Sequence, residues 1–273
     1  MTPENLQEAV ERFRALCQAD PRIVAAFVGG SLATGTADEY SDIDVYLIVA
    51  DEAYASFFAD RAAFMRQLGD PVFLEDFDGF GFDMVLFIFE DGIKGELALA
   101  KASSFLHIHG GAYRVLVDET GLLKGVTFPI ERVPVEEQRQ NLIEHLKFFW
   151  RGFLVMSQAL GRGNLLSAAT YLEGVRRRLV SVCRLAVDFQ DGGGHPRLEA
   201  MLPSHLQEAL CGAFPLVERE AMVEAARRMA DLFQQVARPL AAQQKIDYPD
   251  ALEQTVLAWF DEEFAKLGRQ ATG

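Results

Sequence analysis

Basic residues are scarce. The 273-residue chain carries 26 Lys and Arg against 40 Asp and Glu, a formal charge of −14. Non-specific nucleic-acid binding draws its affinity from phosphate neutralisation by Lys and Arg, so no nucleic-acid partner is expected. Docking on anionic membranes is set aside for the same reason. A negative field does suit a small cationic substrate, which it steers and concentrates. Cysteine is sparse too: Cys17, Cys183 and Cys211 are odd in number, form no CxxC and lie in apolar, helix-like stretches. That excludes a disulfide framework and predicts free core thiols in a reducing compartment. No apolar run approaches the ~18 residues that span a bilayer. The N-terminal MTPENLQEAVERF lacks the basic and apolar regions of a signal peptide. The expectation is a soluble, cytoplasmic protein.

Hydrophobic residues, by contrast, make up 50% of the chain, enough for a sizeable core. The length suits one large domain or two modest ones. Helix signals start at Thr2 or Pro3, where Leu6, Val10, Phe13 and Cys17 fall at helical spacing and Asp20–Pro21 stop the run. Strands are expected at 23–28, 43–49, 72–75, 82–90, 96–101 and 113–117, with a helix over 52–68. Asp91 to Gly95 forms a Gly-bearing loop that predicts an antiparallel hairpin. Beyond Pro129–Pro134 the β-like runs stop. Leu142, Leu146, Phe149, Phe153, Met156 and Leu160 make one helical stripe. Leu165, Ala169, Leu172, Val175, Leu179, Val182, Ala186 and Phe189 make another. After the Gly192–Gly194 loop, further helices fit 204–211, 217–244 and 249–267, giving a bundle of about five. The expected fold class is α+β: a mixed-sheet domain over residues 1–130, then a helical domain over 131–273.

The chemistry concentrates in GGSLATGTADEYSDIDVYLIV, residues 29 to 49. A strand ends in two glycines and a serine, where the backbone can approach a ligand and free N–H groups can hold phosphate oxygens. The next strand opens with Asp42, Ile43 and Asp44. Side chains two apart share a strand face, so the two carboxylates stand side by side. They repel unless a cation or proton lies between them. Among oxygen ligands beside a phosphate cradle the natural cation is Mg²⁺, which takes few carboxylates and fills its shell with water and phosphate. Two such ions can clamp the attacking and leaving oxygens of a displacement at phosphorus. A third carboxylate is expected on a neighbouring strand. Glu96 is the leading candidate, because its face-mates Ala98 and Ala100 leave room. Asp83, Glu90 and Asp91 compete, but Glu90 and Asp91 fit the turn, while Asp83 is harder to dismiss.

These residues resemble the nucleotidyltransferase superfamily related to DNA polymerase β. Its hallmark is Gly-Ser, about ten residues, then Asp-x-Asp entering a strand, with a third acid one or two strands later. Ser31 and Asp42 are 11 positions apart (42 − 31). The run IFEDGIKGELALA, residues 88 to 100, is similar to the hairpin of aminoglycoside 6-adenylyltransferases and of a group of lincosamide nucleotidyltransferases. Glu96 falls at the position of the third acid, where many relatives carry Asp. The motif resemblance spans residues 25–120, and the helical half matches in type only. The resemblance implies transfer of a nucleoside monophosphate, AMP from ATP in the first instance, to a hydroxyl of a small acceptor, with antibiotic modification the best-known role. In it Gly30 and Ser31 hold the β and γ phosphates, Asp42 and Asp44 carry Mg²⁺, and Glu96 completes the metal site or deprotonates the acceptor. Adenylylation of a protein partner, and nucleotide binding without catalysis, are the alternatives. The family also raises a homodimer, for which no residue here argues.

The helical half adds weaker candidates. Arg177 and Lys147 can reach a triphosphate, although a Glu173–Arg177 pair on a solvated face is the simpler account. Glu144 and Glu173 can face a cationic acceptor. His107 and His109 are read as sharing a strand face without a third ligand, hence as structural. Phe148, Phe149 and Trp150 read as core, with Trp150 also able to line a substrate cleft. Gly35 and Thr36 either shape the phosphate loop or form an ordinary turn, and Ser41 supports the loop before Asp42.

Overall fold

A computed structural model of the chain describes residues 3–130, 132–192 and 198–265. It divides into two compact units, Met1–Glu131 and Arg132–Gly273. Thr2, Gly193, Gly194 and the last residues of the expected 249–267 helix lie outside the described residues.

The first unit begins with α1 (Pro3–Ala19), whose Leu6, Val10, Phe13 and Cys17 are all buried. A six-stranded sheet follows: β1 (Ile23–Val28), β2 (Ile43–Val49), β3 (Pro71–Phe77), β4 (Asp83–Phe89), β5 (Lys94–Lys101) and β6 (Arg114–Asp118), in the order β3-β4-β5-β2-β1-β6. Only β2 and β5 run parallel; every other neighbour pair is antiparallel. The central strands are buried on both sides, which is why they read as continuous apolar runs. One face meets α1 and α3 (Tyr54–Met65) through Val45, Leu47, Leu97, Leu99 and Phe87. The other carries Phe27, Ile48 and Ala100, packed under Phe105 and Ile108 of the segment joining β5 to β6 and under Leu123 and Phe128 of the segment that follows β6.

Several expectations are corrected. The helix expected at 52–68 is a 3₁₀ turn, Asp51–Ala53, followed by α3. The hairpin loop is tighter than 91–95. Asp91 accepts the Ile93 amide at 3.0 Å, Gly92 takes φ +84°, and β5 already starts at Lys94. Gly95 therefore lies inside the strand, where a Cβ would stand 2.2 Å from the Ile43 carbonyl oxygen. His107 and His109 do not share a strand, because the chain there turns through the segment between β5 and β6. Cys211 is exposed, so only Cys17 and Cys183 are core thiols.

The second unit is helical: α4 (Val135–Gly161), α5 (Leu165–Val187), the single turn α6 (Leu198–Met201), α7 (Ser204–Cys211), α8 (Arg219–Gln243) and α9 (Asp250–Ala265). The α4 stripe from Leu142 to Leu160 is buried as its spacing predicts. Phe149 stacks on Phe233 of α8, and Trp150 is fully buried with its indole N–H donating to the Tyr248 hydroxyl at 3.0 Å. On α5 the buried edge is Ala168, Leu172, Val175, Leu179, Val182 and Cys183, whereas Ala186 is exposed. Beneath this bundle the buried Glu253 accepts hydrogen bonds from Gln234, Arg238 and Tyr248. Among the described residues no helix is long and apolar enough to cross a membrane.

Candidate active site

The glycine turn and the acid pair are joined by the backbone. The Gly29 amide donates to the Asp44 carbonyl at 3.0 Å, extending the β1–β2 pairing by one step. Gly29 then caps a short helix, α2 (Gly30–Thr34), whose first turn holds Ser31. Gly30 sits at φ +54°, and a Cβ on it would stand 2.2 Å from Asp44 Oδ2. A left-handed backbone and a carboxylate this close both require glycine. Gly35 ends α2 in the left-handed region, and the Thr36 amide returns to the Ser31 carbonyl. These two residues therefore close the helix. The buried Ser41 hydroxyl donates to Asp38 Oδ1 and accepts from the Asp38 amide, both at 2.9 Å, bracing the loop into Asp42.

Asp42 stands exposed one residue ahead of β2, and Asp44 is its second residue. Asp44 pairs directly with Glu96 across the parallel β2–β5 ladder. Directly opposed residues project from the same face, so both carboxylates lie on the face that carries Tyr46, Ile48, Ala98 and Ala100. Burial pushes the Asp44 carboxyl up to about 6, and the charges of Asp42 and Glu96 add to the push. The Glu96 carboxyl is raised as well, by burial and then by Asp42. The three acids therefore feel one another.

Register separates the candidates for the third acid by sheet face. Asp83 pairs with Leu99, not with Glu96 or Ala98. It lies on the opposite face, where the Tyr54 hydroxyl of α3 donates to it at 2.5 Å. Asp91 caps its own turn. Behind the glycine turn, a Cβ on Gly29 would meet the rings of His109 and Tyr46 at 2.8 and 2.9 Å. His109 Nε2 bonds the Ala112 carbonyl at 3.0 Å, and burial lowers its pKa. The imidazole is thus a neutral wedge behind the turn. Strand alternation marks Tyr46 as a face-mate of Asp44, but no periodicity in the sequence announces that His109 packs there.

In the helical unit, Arg177 is exposed on α5 and its Nε donates to Glu173 Oε1 at 3.0 Å. Lys147 is exposed on α4. Trp150 belongs to the core and is closed off from any cleft.

The donor set fits a hard divalent cation: carboxylate oxygens only, two of them held above their ordinary proton affinity by burial and mutual repulsion. Among the described residues no three His, Cys, Asp or Glu side chains converge tightly enough to bind a metal unaided. Magnesium needs only one or two protein carboxylates when phosphates complete its shell.

Comparison with known proteins adds the following. The sequence description of the streptomycin adenylyltransferase family matches residues 4–262. An aminoglycoside 6-adenyltransferase from Bacillus subtilis aligns at 18% identity and a TM-score of 0.46, covering 94% of this chain and 98% of that one. A nucleotidyltransferase-like protein from Exiguobacterium sibiricum 255-15 aligns at 13% identity and a TM-score of 0.34, covering 96% and 92%. No curated protein matches the chain.

Proposed function

The chain belongs to the streptomycin adenylyltransferase family and is a nucleotidyltransferase, and from that premise we propose that it moves AMP from ATP to a hydroxyl of a small cationic antibiotic of the aminoglycoside class. The observation that carries the reading is the contact of Gly30 with Asp44, itself paired with Glu96. It joins a phosphate-holding turn to an acid cluster on one sheet face.

The acceptor oxygen forms a bond to the α-phosphorus as the bond to the bridging β-phosphate oxygen breaks, and pyrophosphate leaves. The first amides of a helix have no intrahelical acceptor, so those of Gly30 and Ser31 bind the β and γ phosphates, aided by the Ser31 hydroxyl. Asp42 and Asp44 would hold Mg²⁺, which when bound would offset part of the triphosphate charge and polarise the phosphoryl group under attack. Glu96 takes the proton of the acceptor hydroxyl. Its carboxyl, raised above the usual range, is better matched to that task than an ordinary exposed acid. The net charge of −14 favours a cationic acceptor over an anionic one. Arg177 and Lys147 are given no part in this scheme, since Arg177 is engaged by Glu173.

The test offers the protein Mg²⁺, ATP and a panel of streptomycin, other aminoglycosides and lincosamides, and reads pyrophosphate release. Release that depends on an aminoglycoside is expected. ATP binding with no release on any acceptor overturns the reading.

A further inference from the structure

The catalytic face of the sheet extends beyond Glu96 to the open edge. Glu96 pairs with Leu86 of β4, and Leu86 pairs with Glu75 of the edge strand β3. Asp44, Glu96, Leu86 and Glu75 thus form one row across four strands, all on the same face. At about 4.8 Å per strand, Glu75 stands about 10 Å from Glu96. The neighbouring rows give this stretch an apolar floor. Met84 lies between Ala98 and Phe77, and Ile88 lies between Lys94 and Phe73. Phe73, Phe77 and Ile88 are 39–40% exposed.

Glu75 differs from its neighbours in having no visible structural task. Asp76, on the opposite face, is engaged by Arg61, and Leu74 packs into the core under α1 and α3. Glu75 is exposed, and among the described residues its side chain makes no ion pair or hydrogen bond. An isolated negative charge beyond an apolar strip, in line with the proposed general base, complements a molecule with an apolar ring body and outlying positive groups.

We propose that Glu75 is a specificity-determining residue: it binds an ammonium or guanidinium group of the acceptor, which lies across Leu86 while its reacting hydroxyl meets Glu96. This rests on the function proposed above and extends it by naming the acceptor's second anchor. A charge on an edge strand also discourages strand-to-strand association. That role affects aggregation and leaves the Michaelis constant of the acceptor unmoved, so kinetics separates the two.

The experiment is steady-state kinetics of wild type, Glu75→Gln, Glu75→Lys and Asp76→Asn, using the aminoglycoside that wild type modifies in the panel. For Glu75→Gln the acceptor KM is expected to rise about fivefold, the measure of one solvent-facing charge pair. The KM for ATP and kcat stay near wild type. Glu75→Lys raises the acceptor KM further, and Asp76→Asn leaves it unchanged. An acceptor KM unchanged in both Glu75 variants, with transfer intact, refutes this inference alone. Absence of transfer by the wild-type protein on every acceptor refutes the parent reading, and this one with it.

Discussion

Asp44→Asn should abolish transfer and, in the absence of metal, make the protein more stable. The Asp44 carboxyl is pushed from 3.8 to about 6 by burial and by the charges of Asp42 and Glu96. One pH unit of displacement corresponds to about 1.4 kcal/mol, so the ionised group costs the folded state at most about 3 kcal/mol. The carboxyl keeps some contact with solvent, which lowers the figure to about 1–2 kcal/mol. The sign follows from the direction of displacement. An acid held above its unfolded value costs nothing where both states are protonated. The cost grows as pH rises through about 4 to 6 and is full above that. Asn carries no charge and escapes it. Urea denaturation in EDTA should therefore show the variant ahead by about 1–2 kcal/mol at neutral pH, with the gap closing toward pH 4. Added Mg²⁺ should stabilise wild type by mass action and the variant less. A variant less stable than wild type in EDTA at neutral pH, or a gap indifferent to pH, would refute the reasoning.

Glu96→Gln should lower kcat at least ~10²-fold, while Asp83→Asn should keep near-wild-type turnover and lose only about 1 kcal/mol with its Tyr54 hydrogen bond; the reverse pattern in steady-state assays would move the third acid to Asp83. Gly30→Ala places a Cβ against Asp44 at a positive φ, so it should lose about 1–2 kcal/mol in denaturation and most of its transfer. In the helical unit, Glu253→Ala takes an acceptor from the half-buried Tyr248 hydroxyl and from Arg238, which keeps Asp250, and should cost about 1–2 kcal/mol in urea unfolding; an unchanged midpoint would show the network to be idle.

The strands that position the site were legible because they are the most buried. IVAAFV is apolar on both faces and IDVYLIV is broken only by Asp44 and the Tyr46 hydroxyl on one of them, and such runs flanked by glycine and acids leave few other readings. Strand alternation alone predicts Asp42 beside Asp44, and in the structure Asp42 stands one residue ahead of the strand that carries Asp44. The face of Asp83 did not. Alternation is known within one strand, but the offset between β4 and β5 is set by the tight Glu90–Ile93 turn. A shift of one residue there would bring Asp83 to the catalytic face in place of Phe82. Glu75 was hidden for the same reason, two registers away. The segment from Ala102 to Tyr113 is held by aromatic packing rather than by a ladder, so it has no period to read, and the histidines in it were misplaced on a strand. Cys211 lies at the last position of α7, where a helical pattern does not distinguish a buried residue from an exposed one.

The central claim is transfer at the α-phosphorus by Asp42, Asp44 and Glu96, and parallel assays with ATP labelled at the α or the γ position test it most directly. With an aminoglycoside and Mg²⁺, the account predicts that the α label moves to the antibiotic, the γ label leaves in pyrophosphate, and both events vanish in Asp42→Asn and Asp44→Asn. Appearance of the γ label on the antibiotic, or α-label transfer undiminished in either variant, would contradict it.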